Sequence, residues 1–207
     1  MYNIGCGDVR AMKHLMDNYL DLVSRTSFRI LCDRKDSEAV TVDVFLHAWN
    51  YAEKYDGSMP LSYWLLRLAS RYARLRIARR RILYFFGRRP DLFVTAAPKA
   101  SDYDDYVTKQ AWELFCRTSI KMSPLQRTLF TLSVLEELPV DDVVNIVNVP
   151  KAYVNYLLSK AETRFRKKLR SLGSQDKYPD YVGFLRKVAE GFTEHDKLKR
   201  MIMTSIR

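Results

Sequence analysis

Glycine and proline are scarce, with seven of each in 207 residues. Few turns are marked, so a fold of many short strands is excluded in favour of long helices. Cysteine is scarcer still. Cys6, Cys32 and Cys116 are widely spaced and form no CxxC. They frame no disulfide scaffold and point to reduced thiols in a cytoplasm. His14, His47 and His195 stand singly, without a cysteine or second histidine at ligand spacing, so no zinc site is expected. The opening MYNIGCGDVR lacks a basic stretch followed by an apolar run, and no signal peptide is expected. The longest apolar runs are too short to span a bilayer. No Ser-His-Asp grouping, phosphate loop or GxGxxG is present. Asp102, Asp104 and Asp105 lie in a loop with no partner acid from a strand, and Asp141 and Asp142 open a helix, where acids suit the dipole. Neither set makes a magnesium site, so no metal, cofactor or enzymatic activity is expected.

Acid is missing where base is dense. The chain carries 35 Lys and Arg against 24 Asp and Glu, a net charge of +11. Between Asp56 and Asp91 there is no acid at all, and the segment Trp64–Arg81, WLLRLASRYARLRIARRR, holds seven arginines. Without interleaved acids such a helix repels itself. Its guanidinium groups are expected to face a polyanion rather than carboxylates of the protein. Tyr63 is the candidate to stack on unpaired bases, and Trp64 is read as a core anchor. A basic helix can also lie on an anionic membrane surface, and composition alone leaves that rival open.

Periodicity predicts helices over 8–32, with Asp8 as cap, over 37–55, beginning at Asp36 or Ser37, and over 61–84. In the third, Trp64, Leu65, Leu68, Tyr72 and Leu75 are expected to face inward. His47 falls on the outer, solvated face of the second. These three make a first domain, 8–86. Residues 87–107 break the pattern with Pro90, Pro98 and the acidic SDYDDY, and read as a linker. A second helical domain, 108–172, holds helices at 111–120, 124–135, 141–147 and 150–169. A C-terminal helical extension, 173–207, follows. The fold class is all-α.

The sharpest local signal is LPVDDVVNIVNVPKAYVNYLLSKAETRFRKKL. It reads as a short helix, a tight turn and a longer helix. Asn148 sits where the turn needs a residue tolerant of positive φ, and Pro150 suits the first turn of the next helix. That helix sends Lys151, Tyr153, Asn155, Tyr156, Ser159 and Lys160 outward, and keeps Val154, Leu157, Leu158 and Ala161 for the core. This is a helix-turn-helix, whose second helix enters the DNA major groove. Lys and Asn read base edges, and the basic residues downstream grip phosphates.

The order of these pieces resembles bacterial RNA polymerase sigma factors of the extracytoplasmic-function (ECF) group of the sigma-70 family. DSEAVTVDVFLHAWN is similar to the region 2 motif at Asp36, Glu38, Asp43, Phe45 and Trp49. YWLLRLASRYARLRIARRR is similar at Trp64, Leu65, Arg67, Ala69 and the closing arginines. MSPLQRTLFTLSVLEELPVDDVVNIVNVPKAYVNYLLSKAETRFRKKL is similar to region 4, which usually reads L-P-P-x-x-R and then L-x-x-x-E-G-x-S. The matches there are Pro124, Arg127, Phe130, Leu132, Glu136, Val154, Leu158 and Ala161. The resemblance covers about residues 8–172. It implies a transcription initiation factor that binds core RNA polymerase through Asp36, Glu38 and Asp43. The arginine helix (Arg67, Arg71, Arg74, Arg76, Arg79 and Arg80, with Tyr63) would open the −10 element and hold its single strand. Region 4 would read the −35 element as duplex, with Arg127 among its DNA contacts. The acidic linker would thread toward the RNA path.

The departures are Val42 for the usual glutamine, Ala39 for the second acid, Arg71 and Leu75 for an Asn and Asp pair, Asn148 for a turn glycine, and Tyr156-Leu157 for a Ser-Arg step. Most remove polar contacts. With the amphipathic tail from 174 onward, they suggest a divergent member whose site choice draws on a partner protein, an anti-sigma or DNA-targeting protein. The rivals are a helix-turn-helix repressor or activator that never touches polymerase, and a sigma-like adaptor that does not melt DNA.

Overall fold

The computed structural model describes residues 1–86, 103–171, 178–187 and 195–206. Among these residues every regular element is helical. In chain order they are α1 (Tyr2–Gly5), α2 (Val9–Leu31), α3 (Arg34–Asn50), a 3-10 turn (Ala52–Lys54), α4 (Leu61–Phe85), α5 (Tyr103–Ser119), α6 (Pro124–Phe130), a π turn (Thr131–Leu135), α7 (Val140–Val147), α8 (Lys151–Arg170), α9 (Tyr178–Lys187) and α10 (His195–Ser205). No helix among the described residues is long and apolar enough to cross a membrane.

Caps explain several boundaries. Asp8 Oδ1 accepts from the backbone N–H of Arg10 at 2.8 Å and starts α2. Cys32 ends α2 at φ 54, and Asp33 at once caps α3, accepting from Asp36 N at 2.8 Å. The second helix therefore begins at Arg34, two residues before Asp36 and three before Ser37, where its start was expected. Ser123 and Gln126 close a reciprocal capping box on α6, with Pro124 in its first turn. The residues after Phe130 widen into the π turn, where Glu136 N donates to Thr131 O at 2.8 Å. Asn148 ends α7 at φ 54, as the turn reading requires, and Pro150 precedes Lys151 as the N-cap of α8.

Three apolar clusters result. The first joins α1 to α4 around Met12, Met16, Val44, Phe45, Leu65 and Ala69, and also takes Leu198 and Ile202 of α10. The second gathers Trp112, Phe115, Phe130, Phe165 and Leu185 from α5, α6, α8 and α9. It includes Phe28 and Cys32 of the α2 end. The third lies inside the helix-turn-helix around Leu129, Leu132, Val143, Ile146 and Val154, and includes Leu66 of α4. So α2 and α4 each serve the first core with one face and a later core with another. Burial of Phe28 and Leu66, each 1 % exposed, contributes about 1.5–3 kcal/mol apiece to holding the two halves together.

Several expectations need correction. Residues 103–107, read as linker, belong to α5; the remainder of that linker, 87–102, lies outside the described residues, as does its expected path. Among the described residues of the tail, which was expected to be helical, are the helices α9 and α10. Leu75, expected inward, is exposed. The α4 face that meets the first core runs through Leu65, Leu68, Ala69, Ala73 and Ile77 instead. Trp64 is buried there, as an anchor should be. His47 is not solvated: its Nδ1 lies 3.0 Å from the Tyr72 hydroxyl, and its ring packs against Tyr51 and Trp64.

Candidate nucleic-acid and polymerase interface

The arginines of α4 divide by face. Arg71 and Arg79 are exposed. Arg74 is half-buried, with its Nε donating to Ser70 O at 3.2 Å; burial, then the nearby Arg71 charge, lowers its pKa. Arg76 and Arg80 turn toward α3. Arg80 Nη2 sits 2.8 Å from Asp33 and 2.6 Å from Asp36. Arg76 reaches Asp36 at 3.5 Å and Asp43 at 3.2 Å. This overturns the expectation that no carboxylate of the protein answers the arginine segment. The acids come from a different helix, brought alongside by the first core. Two residues expected at DNA, Arg76 and Arg80, and two expected at polymerase, Asp36 and Asp43, neutralise one another. Glu38 is held by Arg34 Nε at 3.1 Å and by Lys197 Nζ of α10 at 2.7 Å.

The N-terminal end of α4 faces the helix-turn-helix. The Tyr63 hydroxyl donates to Asp142 Oδ2 at 2.9 Å, and Arg67 Nη2 donates to the Asn145 carbonyl at 2.7 Å. The cleft between them, about 770 Å³, is walled by Pro60, Tyr63 and Arg67 on one side and Asn145, Asn148 and Pro150 on the other. At the far end, Arg81 donates to the carbonyls of Ile120 and Met122. Tyr63, Arg67 and Arg81 thus spend their polar groups on the protein's second half. Arg127 is buried, donating through Nε to Ser119 O at 2.7 Å and through Nη1 to Ile30 O at 3.5 Å. It offers no guanidinium to DNA from there.

The second helix of the motif stands open. Lys151, Tyr153, Asn155, Tyr156, Ser159 and Lys160 are all exposed, while Val154, Leu157 and Ala161 are buried. The sequence pattern dictates this face, because apolar residues recur every three or four positions on the other. Tyr153 and Tyr156 stack with centroids 6.5 Å apart. Lys160 Nζ lies 2.8 Å from the Tyr156 hydroxyl, and this hydrogen bond and charge lower the Tyr156 pKa. Lys151 pairs with Asp141 at 2.6 Å on the surface, a contact a phosphate can displace at small cost. Below this face, Arg117, Lys121, Arg164, Lys167 and Lys168 line a cleft of about 620 Å³. Arg117 and Lys121 of this group carry no signal in the sequence, since only folding brings the end of α5 beside α8.

The link between the halves has no sequence signal either. The nearly buried Glu136 carboxylate takes Arg29 Nη1 and Thr26 Oγ1 on Oε1, each at 2.9 Å, and Arg25 Nη2 on Oε2 at 3.1 Å. Glu137, where the region 4 pattern has glycine, adopts φ 56 and pairs with Arg186 of α9 at 2.7 Å. Among the described residues no group of three His, Cys, Asp or Glu is set to hold a metal ion. Asp142 is engaged by Tyr63, and Asp102 lies outside the described residues.

No family model matches the chain. It is 23% identical over 177 residues to the ECF RNA polymerase sigma factor SigW of Bacillus subtilis (strain 168), a match that spans 80% of this chain and 92% of that one. Among solved structures it is similar to the sigma factor RpoE in complex with the anti-sigma factor NepR from Bartonella quintana. The TM-score is 0.57 at 17% identity, over 78% of this chain and 98% of that one; this likeness concerns the fold. With three motifs in family order and a helix-turn-helix built as the pattern requires, the chain is similar to the extracytoplasmic-function group of the sigma-70 family.

Proposed function

We infer that the chain is a transcription initiation factor that binds core RNA polymerase and directs it to promoter DNA. The observation that carries this reading is the exposed α8 face, with Lys151, Tyr153, Asn155 and Lys160 at solvent on a helix-turn-helix, in a chain similar to a curated RNA polymerase sigma factor. Region 4 reads the −35 element with these side chains. Region 2 opens the −10 element and holds its single strand, with exposed Arg71 and Arg79 as the phosphate contacts nearest to hand. Sigma factors as a family are not enzymes, and this chain recognises and positions.

The arrangement of the two halves suits a chain away from polymerase. Asp36, Glu38 and Asp43 are the acids proposed for polymerase docking, yet each is paired within the protein. Docking exchanges Arg76, Arg80 and Lys197 for polymerase cations. The fold neighbour's complex with an anti-sigma factor supports a protein partner of that kind for this chain too. The departures at Val42, Arg71, Leu75 and Leu157 support site choice aided by such a partner.

Co-purification from cells tests the reading. Polymerase subunits in the eluate support it. Tight duplex binding by the isolated protein with no polymerase in the eluate favours the repressor or activator instead. Polymerase binding without promoter opening favours the adaptor.

A further inference from the structure

The helix α10 lies outside the motifs that the chain shares with sigma factors, yet it is built into the first core. Leu198 and Ile202, four residues apart and so on one face, are 1 % and 0 % exposed and join the cluster of α1 to α4. Met203 and, just past the helix end, Ile206 pack half-buried against the same cluster. Asp196, Arg200, Met201 and Thr204 are at solvent. The helix rests on both α2 and α3, and a lysine fastens it to each. Lys197 Nζ reaches Glu38 of α3 at 2.7 Å, and Lys199 Nζ reaches Asp17 of α2 at 2.6 Å.

This seat includes ground that polymerase is proposed to take. Glu38 is one of the three docking acids, and between Arg34 and Lys197 its side chain is 16 % exposed. About one helical turn on, Val42 stands where the family pattern has glutamine. It is half-buried and packs against the same core as Met203 and Ile206. An apolar side chain there suits a covering helix better than it suits water. A partner that takes Glu38 must first displace Lys197 and the helix that carries it.

The cover is removable. Without it the first core keeps Met12, Met16, Val44, Phe45, Leu65 and Ala69. Surface ion pairs of this kind hold weakly. With eleven residues, α10 is too short to stay helical alone in water. Lifting it away costs its own packing and its own helix, while α1 to α4 stay folded.

We propose that α10 is an internal competitor of polymerase: it covers the Glu38 side of α3, and core polymerase docks there when α10 lifts off. The inference rests on the transcription reading and adds a self-covered state to it. The fraction of chains with α10 lifted then scales the apparent affinity for polymerase.

The test measures the affinity of the full chain for purified core RNA polymerase by fluorescence titration. Leu198→Glu with Ile202→Glu puts two carboxylates into the apolar seat and detaches α10. If α10 covers the face in about nine chains of ten, the detached chain binds about tenfold more tightly. Lys197→Ala with Lys199→Ala keeps both apolar anchors and the fold, and is expected to tighten binding by about twofold, the size of surface ion pairs. The reverse experiment locks the helix down. Asp17→Cys and Lys199→Cys, in a chain that also carries Cys6→Ser, are joined by a bismaleimide with a cleavable disulfide. Polymerase binding is expected to be lost on closure and to return with dithiothreitol. Equal affinity of the natural, detached and locked chains, or weaker binding by the detached and lysine variants, overturns this inference and leaves the transcription reading standing. Absence of polymerase binding in every chain, the natural and lysine variants included, overturns the transcription reading and this inference with it.

Discussion

Arg29 of α2 meets Glu136, just beyond the π turn, at 2.9 Å, with side chains 3 % and 5 % exposed. This contact spans the two helical groups. A buried charge with its partner removed is costly, so the pair sets how firmly the halves hold. Glu136→Ala takes the buried carboxylate from Arg29, leaving it the carbonyls of Leu135 and Arg186, removes the acceptor of the Thr26 hydroxyl, and leaves Arg25 with Asp21. The variant is expected to lose about 3–5 kcal/mol of stability, read by urea unfolding. The double variant Arg29→Met, Glu136→Leu is expected to recover most of that stability. An unchanged midpoint for Glu136→Ala contradicts a structural role for the pair.

The two faces of α4 separate in their effects. Arg80→Ala removes charge-assisted bonds to Asp33 and Asp36, and is expected to cost about 1.5–3 kcal/mol of stability. Arg71→Ala with Arg79→Ala leaves stability nearly unchanged. It weakens single-stranded DNA binding and flattens the plot of log affinity against log salt by about 0.7 for each phosphate no longer neutralised. An unaltered slope assigns those exposed arginines elsewhere.

Sequence choice belongs to α8. Replacing Tyr153 and Asn155 with alanine is expected to relax discrimination at the −35 element by about 1–3 kcal/mol per base read. Polymerase affinity stays unchanged. Competition binding with point-substituted promoters measures the first, and pull-down with core polymerase the second.

His47 gives a pH dependence of known sign. Burial, then the charges of Arg71 and Lys54, lowers its pKa in the folded protein. The unfolded chain therefore binds the proton more readily. Stability from this residue is complete above the ordinary histidine value of about 6.5, and is lost as pH falls below it toward the depressed one. His47→Gln is expected to lose less stability than the natural chain between about pH 7.5 and 5.5, by urea unfolding at each pH. Equal losses contradict the buried environment of the ring.

How much of this the sequence discloses follows from where the causes lie. The exposed face of α8 and the left-handed Asn148 are local, set by helical period and turn chemistry, and are legible residue by residue. The partners of Arg76 and Arg80 are not. Asp33, Asp36 and Asp43 sit at the start of and along another helix, and only packing of Val44, Phe45, Leu65 and Ala69 sets the two in register. Arg127 matches a motif position, but its burial against Ile30 and Ser119 depends on the union of the halves. The early start of α3 is a smaller case: Asp33 outcompetes Asp36 as a cap because Cys32 has already turned the chain.

Transcription in vitro tests the central claim most directly. Purified core RNA polymerase, this chain and a library of genomic promoter fragments are incubated, and transcripts are mapped. Discrete start sites that require the chain, and vanish when Tyr153 and Asn155 are replaced, are the expected result. Transcripts indifferent to its presence, while the protein binds duplex DNA tightly alone, contradict it.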